Sequence, residues 1–208
     1  MSFARFPSKK LSRRYIYTLL VSLFFGLFFF IFKKDENKIS IFDKILIVLF
    51  GYFFIPLILS LPYYLSNYNI NFINSYFESI SGFTSTGFTI FNNINYLDQS
   101  LIIWRSTTQW IGGLYFLFSI ILLIEIFDNN LKKSLTVFFS FSTSETLKQL
   151  FKIFILYFLL TLFIFLVLKL INLRIFDSFN LSLTIISSGG FIPFNNIETI
   201  INSDIKKI

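Results

Sequence analysis

The chain has 208 residues, of which 55% are hydrophobic and 14% charged, with a formal net charge of +7 and a mean hydropathy of +0.72. A water-soluble domain of this size would need far more polar surface. Cysteine and histidine are both absent, which excludes disulfides, thiolate or imidazole metal sites, cysteine nucleophiles and Ser-His-Asp triads.

Four apolar stretches are long enough to cross a bilayer, which takes about 20 residues of helix. The first runs from about Tyr15 to Phe32, after Lys9, Lys10, Arg13 and Arg14. No signal-peptide cleavage pattern follows it, so it reads as a retained anchor. The second, about Ile45 to Leu65, contains Pro56 and Pro62, read as helix kinks that neighbouring helices must accommodate. The third covers about Leu101 to Phe127 and the fourth about Leu150 to Ile171, with a polar connection, Asp128–Gln149, between them.

Two further segments are too short and too polar to span. Phe72–Ile90 and Phe176–Phe194 each open with about ten half-apolar, aromatic-rich residues, the length of a short re-entrant helix. Each then passes through hydroxyl residues and glycine to a Phe: Thr84-Ser85-Thr86-Gly87-Phe88 and Ser187-Ser188-Gly189-Gly190-Phe191. A spanning helix, a short helix and a Ser/Thr/Gly loop thus occur twice, an internal repeat.

The lysine-rich segment Lys33–Lys44 and the lysines 132, 133, 148 and 152 contrast with Asn67–Ser100, which holds no Lys or Arg. The positive-inside rule puts the lysine-bearing loops in the cytoplasm and Asn67–Ser100 outside, so both short-helix loops enter from outside. These basic residues lie between apolar runs and call for no nucleic-acid partner. The basic N-terminal tail conflicts with this scheme, because a fully crossing first helix would leave it outside. Either another helix normally precedes it, or the first helix does not span.

Inside a membrane, irregular backbone persists only where protein or a water-filled cavity surrounds it. A potassium pore exploits this by aiming backbone carbonyls inward to replace the ion's water shell. Such a loop needs glycine for its φ/ψ values and favours Ser and Thr, whose hydroxyls pair with backbone or line the pore. Thr84 to Gly87 and Ser187 to Gly190 supply both, so these eight residues are the candidate ion-binding filter. Alone, a Thr-Ser-Thr-Gly string is more often a surface turn; the membrane context and the repetition favour the filter.

The residues also carry a family resemblance. Phe77-Glu78-Ser79-Ile80-Ser81-Gly82-Phe83-Thr84-Ser85-Thr86-Gly87-Phe88-Thr89 resembles the first pore loop of the Trk/Ktr/HKT potassium-transporter superfamily, whose pattern is S-G-x-T-T-T-G. Trp104-Arg105-Ser106-Thr107-Thr108-Gln109-Trp110-Ile111-Gly112-Gly113 resembles the W-R-S-x-x-Q-W-x-G-G that opens the next helix. Ser187-Ser188-Gly189-Gly190-Phe191 looks like the second filter, and Leu61-Pro62-Tyr63-Tyr64 resembles the TrkH branch. The matches run in family order over about Ile45 to Asn195. Two departures stand out: Ser85 replaces a threonine, and Tyr115 occupies a position where the family commonly has another glycine.

The resemblance implies an all-α integral membrane fold of four helix–pore-loop–helix units around one pore, each donating one filter glycine. About one and a half units would be present, with four spanning helices and two re-entrant pore helices. Residues 1–44 would form the basic tail and first helix, 45–127 the first repeat, 128–149 a cytoplasmic connection and 150–208 an incomplete second repeat. The filter glycine is Gly87 in the first loop and either Gly189 or Gly190 in the second. Potassium uptake at a multi-pass bacterial inner-membrane location follows, with no enzyme activity and no cofactor beyond the ion. Partners would be membrane lipid, a cytoplasmic nucleotide-binding regulatory subunit, and a second copy if homodimerisation rebuilds four loops. The competing expectations are a non-conducting truncated fragment and a small-solute permease with broken helices.

For single residues, Arg105 is expected to snorkel or to pair with Glu78 or Asp98. Glu78 is expected to anchor its loop through backbone N–H groups, Glu125 to be interfacial, and Gly112-Gly113 to serve close helix packing.

Overall fold

A computed structural model describes residues 9–31, 40–123 and 146–193. Glu125 and residues 128–145 of the expected connection lie outside the described residues. Seven helices follow in chain order among the described residues: α1 (Lys9–Ile31), α2 (Ile41–Leu59), α3 (Leu61–Tyr64), α4 (Phe72–Phe83), α5 (Gln99–Leu123), α6 (Thr146–Leu170) and α7 (Ile175–Ile186). A single 3-10 turn, Ile94–Tyr96, interrupts the long α4–α5 connection.

By length and composition, three described stretches can cross a membrane: Ile41–Tyr64, Gln99–Leu123 and Lys148–Leu170. They cover the second, third and fourth expected spans, and α1 covers the first. Their surfaces invert the soluble pattern. Only 17% of the apolar window in α6 is buried, and Phe151, Leu159, Phe163 and Leu166 point outward. Water would penalise that surface at about 25 cal/mol per Å²; lipid does not.

The second expected span is not one continuous helix. It starts on a capping box, in which Ser40 Oγ accepts the Phe42 N–H and Asp43 Oδ2 accepts the Ser40 N–H. It stops at Ser60, whose N–H reaches Pro56 O at 2.9 Å and whose hydroxyl donates to Leu57 O at 2.7 Å. Pro62 then sits in the first turn of α3, where a missing N–H costs nothing. Pro56 lies inside the helix, and its carbonyl also accepts the Ser79 hydroxyl at 2.7 Å, which docks α4 onto α2.

Both short helices bury their polar face. In α4 the buried set is Ser75, Glu78, Ser79, Ser81, Gly82 and Phe83; in α7 it is Asp177, Ser178, Asn180, Ser182, Leu183 and Thr184. Ile73 and Phe77 on α4, and Ile175 and Phe179 on α7, face outward. Small hydroxyls allow this because they return their hydrogen bonds to nearby backbone: Ser75 to Asn71 O, Ser178 to Arg174 O and Ser182 to Phe179 O.

Helix α5 is the centre, in contact with α2, α3, α4, α6 and α7. A small apolar cluster of Tyr63, Ile94, Leu97, Leu101 and Ile102 closes the end of the bundle that carries the α4–α5 connection. There Tyr68 donates to Tyr96 O and accepts from the Asp98 N–H. Burial raises its pKa, which keeps the phenol a neutral donor.

Helix α1 runs antiparallel to α2. Arg14 is buried and donates to Asn67 Oδ1, Tyr15 packs on Trp104, and further along Phe25 meets Phe54. The start of α1 therefore lies at the same end of the bundle as the Lys-free Asn67–Ser100 connection.

Candidate functional site

The two loops after α4 and α7 leave their helices through the same pair of backbone hydrogen bonds. Each short helix ends on a cap residue near φ −87°: Thr84 at −86° and Ser187 at −87°. The next residue in each is left-handed, Ser85 at φ 57° and Ser188 at φ 53°. The Ser85 N–H reaches Gly82 O and the Ser188 N–H reaches Ile185 O, both at 3.0 Å. One residue on, the Thr86 N–H reaches Ser81 O and the Gly189 N–H reaches Thr184 O. This is the helix-ending pattern of a Schellman motif, here built on serine. The matching bonds superpose Thr86 on Gly189, Gly87 on Gly190 and Phe88 on Phe191.

The loops also touch. Gly87 has φ 78°, and a Cβ there would lie 2.6 Å from the Cα of Gly190; a Cβ on Gly190 would lie 3.0 Å from the Cα of Gly87. Gly87 has no room for a side chain, and Gly190 is tightly packed against it. All eight sequence-predicted residues, Thr84 to Gly87 and Ser187 to Gly190, thus fall in two like-shaped loops that meet. A cavity of about 430 Å³ lies against the start of both, lined by Thr84, Ser85, Ser187 and Ser188 with Tyr52 and Tyr157 among its walls.

The hydroxyls turn back toward the helices. Thr84 donates to Ile80 O at 2.8 Å, Thr86 to Ser81 O at 3.1 Å, and Ser187 to Leu183 O and Thr184 O at 3.0 Å each. Two oxygen classes were open to an ion from the sequence, and these hydroxyl protons are committed to helix carbonyls. The C-terminal ends of α4 and α7 converge on the same place, and each carries the negative end of its helix dipole, which favours a cation.

Behind the first loop lies a buried ion pair. Arg105 Nε contacts Glu78 Oε1 at 2.8 Å with the two side chains 1% and 0% exposed. Glu78 also accepts the Thr89 hydroxyl and, at 2.9 Å, the Ile90 N–H, while Arg105 Nη2 reaches Thr89 Oγ1 at 2.9 Å. Of the partners open to Arg105 from the sequence, Glu78 and not Asp98 takes it. Glu78 anchors the segment that follows the first loop through the Ile90 N–H. The guanidinium lies 4.2 Å above the Phe191 ring, so the same arginine reaches the second loop.

The rest of the Trp104–Gly113 block faces both loops. Gly112 lies so close to the Phe83 carbonyl that a Cβ would collide with it. A Cβ on Gly113 would come within 2.5 Å of the Tyr157 hydroxyl and 2.9 Å of Ser187 Cβ. The expected helix-packing role therefore holds for Gly113 against α6, while both glycines also admit the ends of the short helices. Ser106 donates to Asn180 Oδ1 at 2.9 Å and Trp110 Nε1 to Thr161 Oγ1 at 3.0 Å, which fixes α7 and α6 to α5. Tyr115, the departure from the family pattern, fits against Gly51, where a Cβ would strike its ring, and its hydroxyl donates to Val48 O at 3.1 Å.

Sequence reading missed Gln109, Thr89 and Asn180. For Gln109 the signal was present: it follows Arg105 by one helical turn and so shares its face.

This is an all-α architecture of membrane-length helices alternating with short helices that end in Ser/Thr/Gly loops. No protein-family model matches the chain. A protein of Methanocaldococcus jannaschii described as an uncharacterized cation transporter is 30% identical over 203 residues, covering 88% of this chain and 41% of its own length. The Trk system potassium uptake protein TrkH of Escherichia coli is 24% identical over 177 residues, covering 76% of this chain and 34% of that protein. The crystal structure of the potassium transporter TrkH from Vibrio parahaemolyticus superposes with a TM-score of 0.73 at 22% identity, over 89% of this chain and 38% of that one. The chain is similar in sequence to these cation and potassium transporters and shares the fold of TrkH, an all-α membrane architecture. It spans well under half the length of these relatives.

Proposed function

We propose that the chain contributes to the uptake of potassium ions through a filter lined by backbone carbonyls. The observation that carries this reading is the shared hydrogen-bond register of the two loops, which brings Gly87 and Gly190 into contact. On that register Gly190 is the counterpart of Gly87, and Gly189 serves another purpose. Carbonyls from Thr84 to Gly87 and from Ser187 to Gly190 would replace the water around an entering cation. The dipoles of α4 and α7 lower the cost of bringing the charge there.

The repeats are taken as residues 45–127 and 150–208, with 1–44 before them and 128–149 between. Two touching loops make one side of a ring, so two further loops complete it, from more chain or from a second copy. The cell inner membrane of a bacterium, and a cytoplasmic nucleotide-binding regulatory subunit, belong to the same reading. It requires no cofactor besides the transported ion.

The test is flux. The purified chain in lipid vesicles should carry K⁺ in preference to Na⁺ under an imposed gradient. Equal leakage of both ions would refute the proposal; no flux at all would refute completion of the ring by a second copy.

A further inference from the structure

Gln109 sits on α5 in the first helix–loop–helix unit, yet its side chain ends in the second loop. Gly189 is what lets it in: a Cβ there would fall on the Gln109 amide group. With the amide oxygen turned toward the loop, it accepts both the Gly190 N–H and the Phe191 N–H at 2.9 Å. Two donors converge on this spot, so the oxygen and not the NH₂ must face them.

Peptide planarity converts this grip into a direction. In a trans peptide the C=O points opposite to the N–H of the same unit. The Gly190 N–H shares its peptide with the Gly189 carbonyl, and the Phe191 N–H with the Gly190 carbonyl. An acceptor that draws both N–H groups toward α5 therefore turns both carbonyls away from α5. In the first loop the counterpart of the Gly190 N–H, the Gly87 N–H, is served by the short helix itself: Ser81 O receives the Thr86 N–H at 3.0 Å and the Gly87 N–H at 3.5 Å. In the second loop Thr184 O receives only the Gly189 N–H among these. The helix end there runs out of reach one residue earlier, and Gln109 supplies the missing acceptor.

We infer that Gln109 is a positioning residue that aims the Gly189 and Gly190 carbonyls at the ion path from a neighbouring unit. This rests on the carbonyl-filter reading above. It assigns the glycine pair two separate uses: Gly189 admits the glutamine, and Gly190 admits the first loop. The aim is set by one uncharged side chain, so ion preference and not bulk stability is the property it controls. Arg105, one turn earlier on the same face, stacks on Phe191 and holds the next ring of the loop in place.

The test compares the full chain with Gln109→Met and Gln109→Glu in lipid vesicles, reading K⁺ against Na⁺ flux, with amide exchange of Gly190 and Phe191 as a second readout. Methionine keeps the length and removes the acceptor; glutamate keeps an acceptor. Gln109→Met should lower the K⁺ over Na⁺ ratio by about tenfold, the scale of one unmade buried hydrogen bond, and speed exchange at both amides. Gln109→Glu should restore most of the ratio and the protection. If the parent chain selects K⁺ and Gln109→Met selects it equally well, the inference falls and the filter reading stands. If Gln109→Glu is as unselective as Gln109→Met, the acceptor role is wrong. Should the parent show no K⁺ preference, the filter reading fails and takes the inference with it.

Discussion

An Arg105→Ala chain in detergent micelles should be about 3–5 kcal/mol less stable than the parent, the cost of removing one partner from a buried ion pair. Glu78 is fully buried and would be left with only the Thr89 hydroxyl and the Ile90 N–H as partners. The Phe191 ring would lose its cation, worth a further fraction of about 2 kcal/mol. Equilibrium unfolding followed by far-UV circular dichroism measures the loss. The double variant Glu78→Ala/Arg105→Ala should lose less than the two single variants added together, because the orphan charge is gone. A single-variant loss below about 1 kcal/mol would place the pair among ordinary surface bridges and remove it as the anchor of the first loop.

The second large effect concerns transport. Gly87→Asp should reduce K⁺ flux by roughly a hundredfold, the product of two costs of similar size. A Cβ at φ 78° carries strain of about 1–2 kcal/mol. Displacing the Gly190 backbone, 2.6 Å from that Cβ, adds a comparable amount. Gly26 is the control, since nothing lies within 4 Å of a Cβ there; Gly26→Ala should conduct like the parent. Normal K⁺ flux through Gly87→Asp would show that the meeting point of the two loops is not on the ion path.

The short helices and loops were legible in the sequence because their chemistry is local. A ten-residue stretch cannot span, and serine and threonine satisfy themselves on nearby carbonyls; glycine marks positive φ only at Gly87, since the left-handed residue that turns each loop is a serine, Ser85 or Ser188. Phe72–Phe83 and Ile175–Ile186 accordingly fall where the pattern puts them. What the sequence left open depends on contacts between distant segments. The choice between Gly189 and Gly190 turns on Gln109, some eighty positions away along the chain, and on Gly87. The one-residue interruption at Ser60 was hidden because it depends on a local exchange of partners: the Ser60 hydroxyl takes Leu57 O, and Pro62 has no N–H to continue the ladder. The fit of Tyr115 into Gly51 was likewise invisible, since neither residue announces the other.

Absence of cysteine makes the most direct test simple. Phe88→Cys gives a chain with one thiol, just past Gly87 where the first loop returns toward the Asn67–Ser100 connection and the side chain is exposed. The account predicts that a membrane-impermeant maleimide labels it from the external face, and that K⁺ slows labelling more than Na⁺ does. Labelling only from the cytoplasmic face, or at a rate indifferent to K⁺, would contradict it.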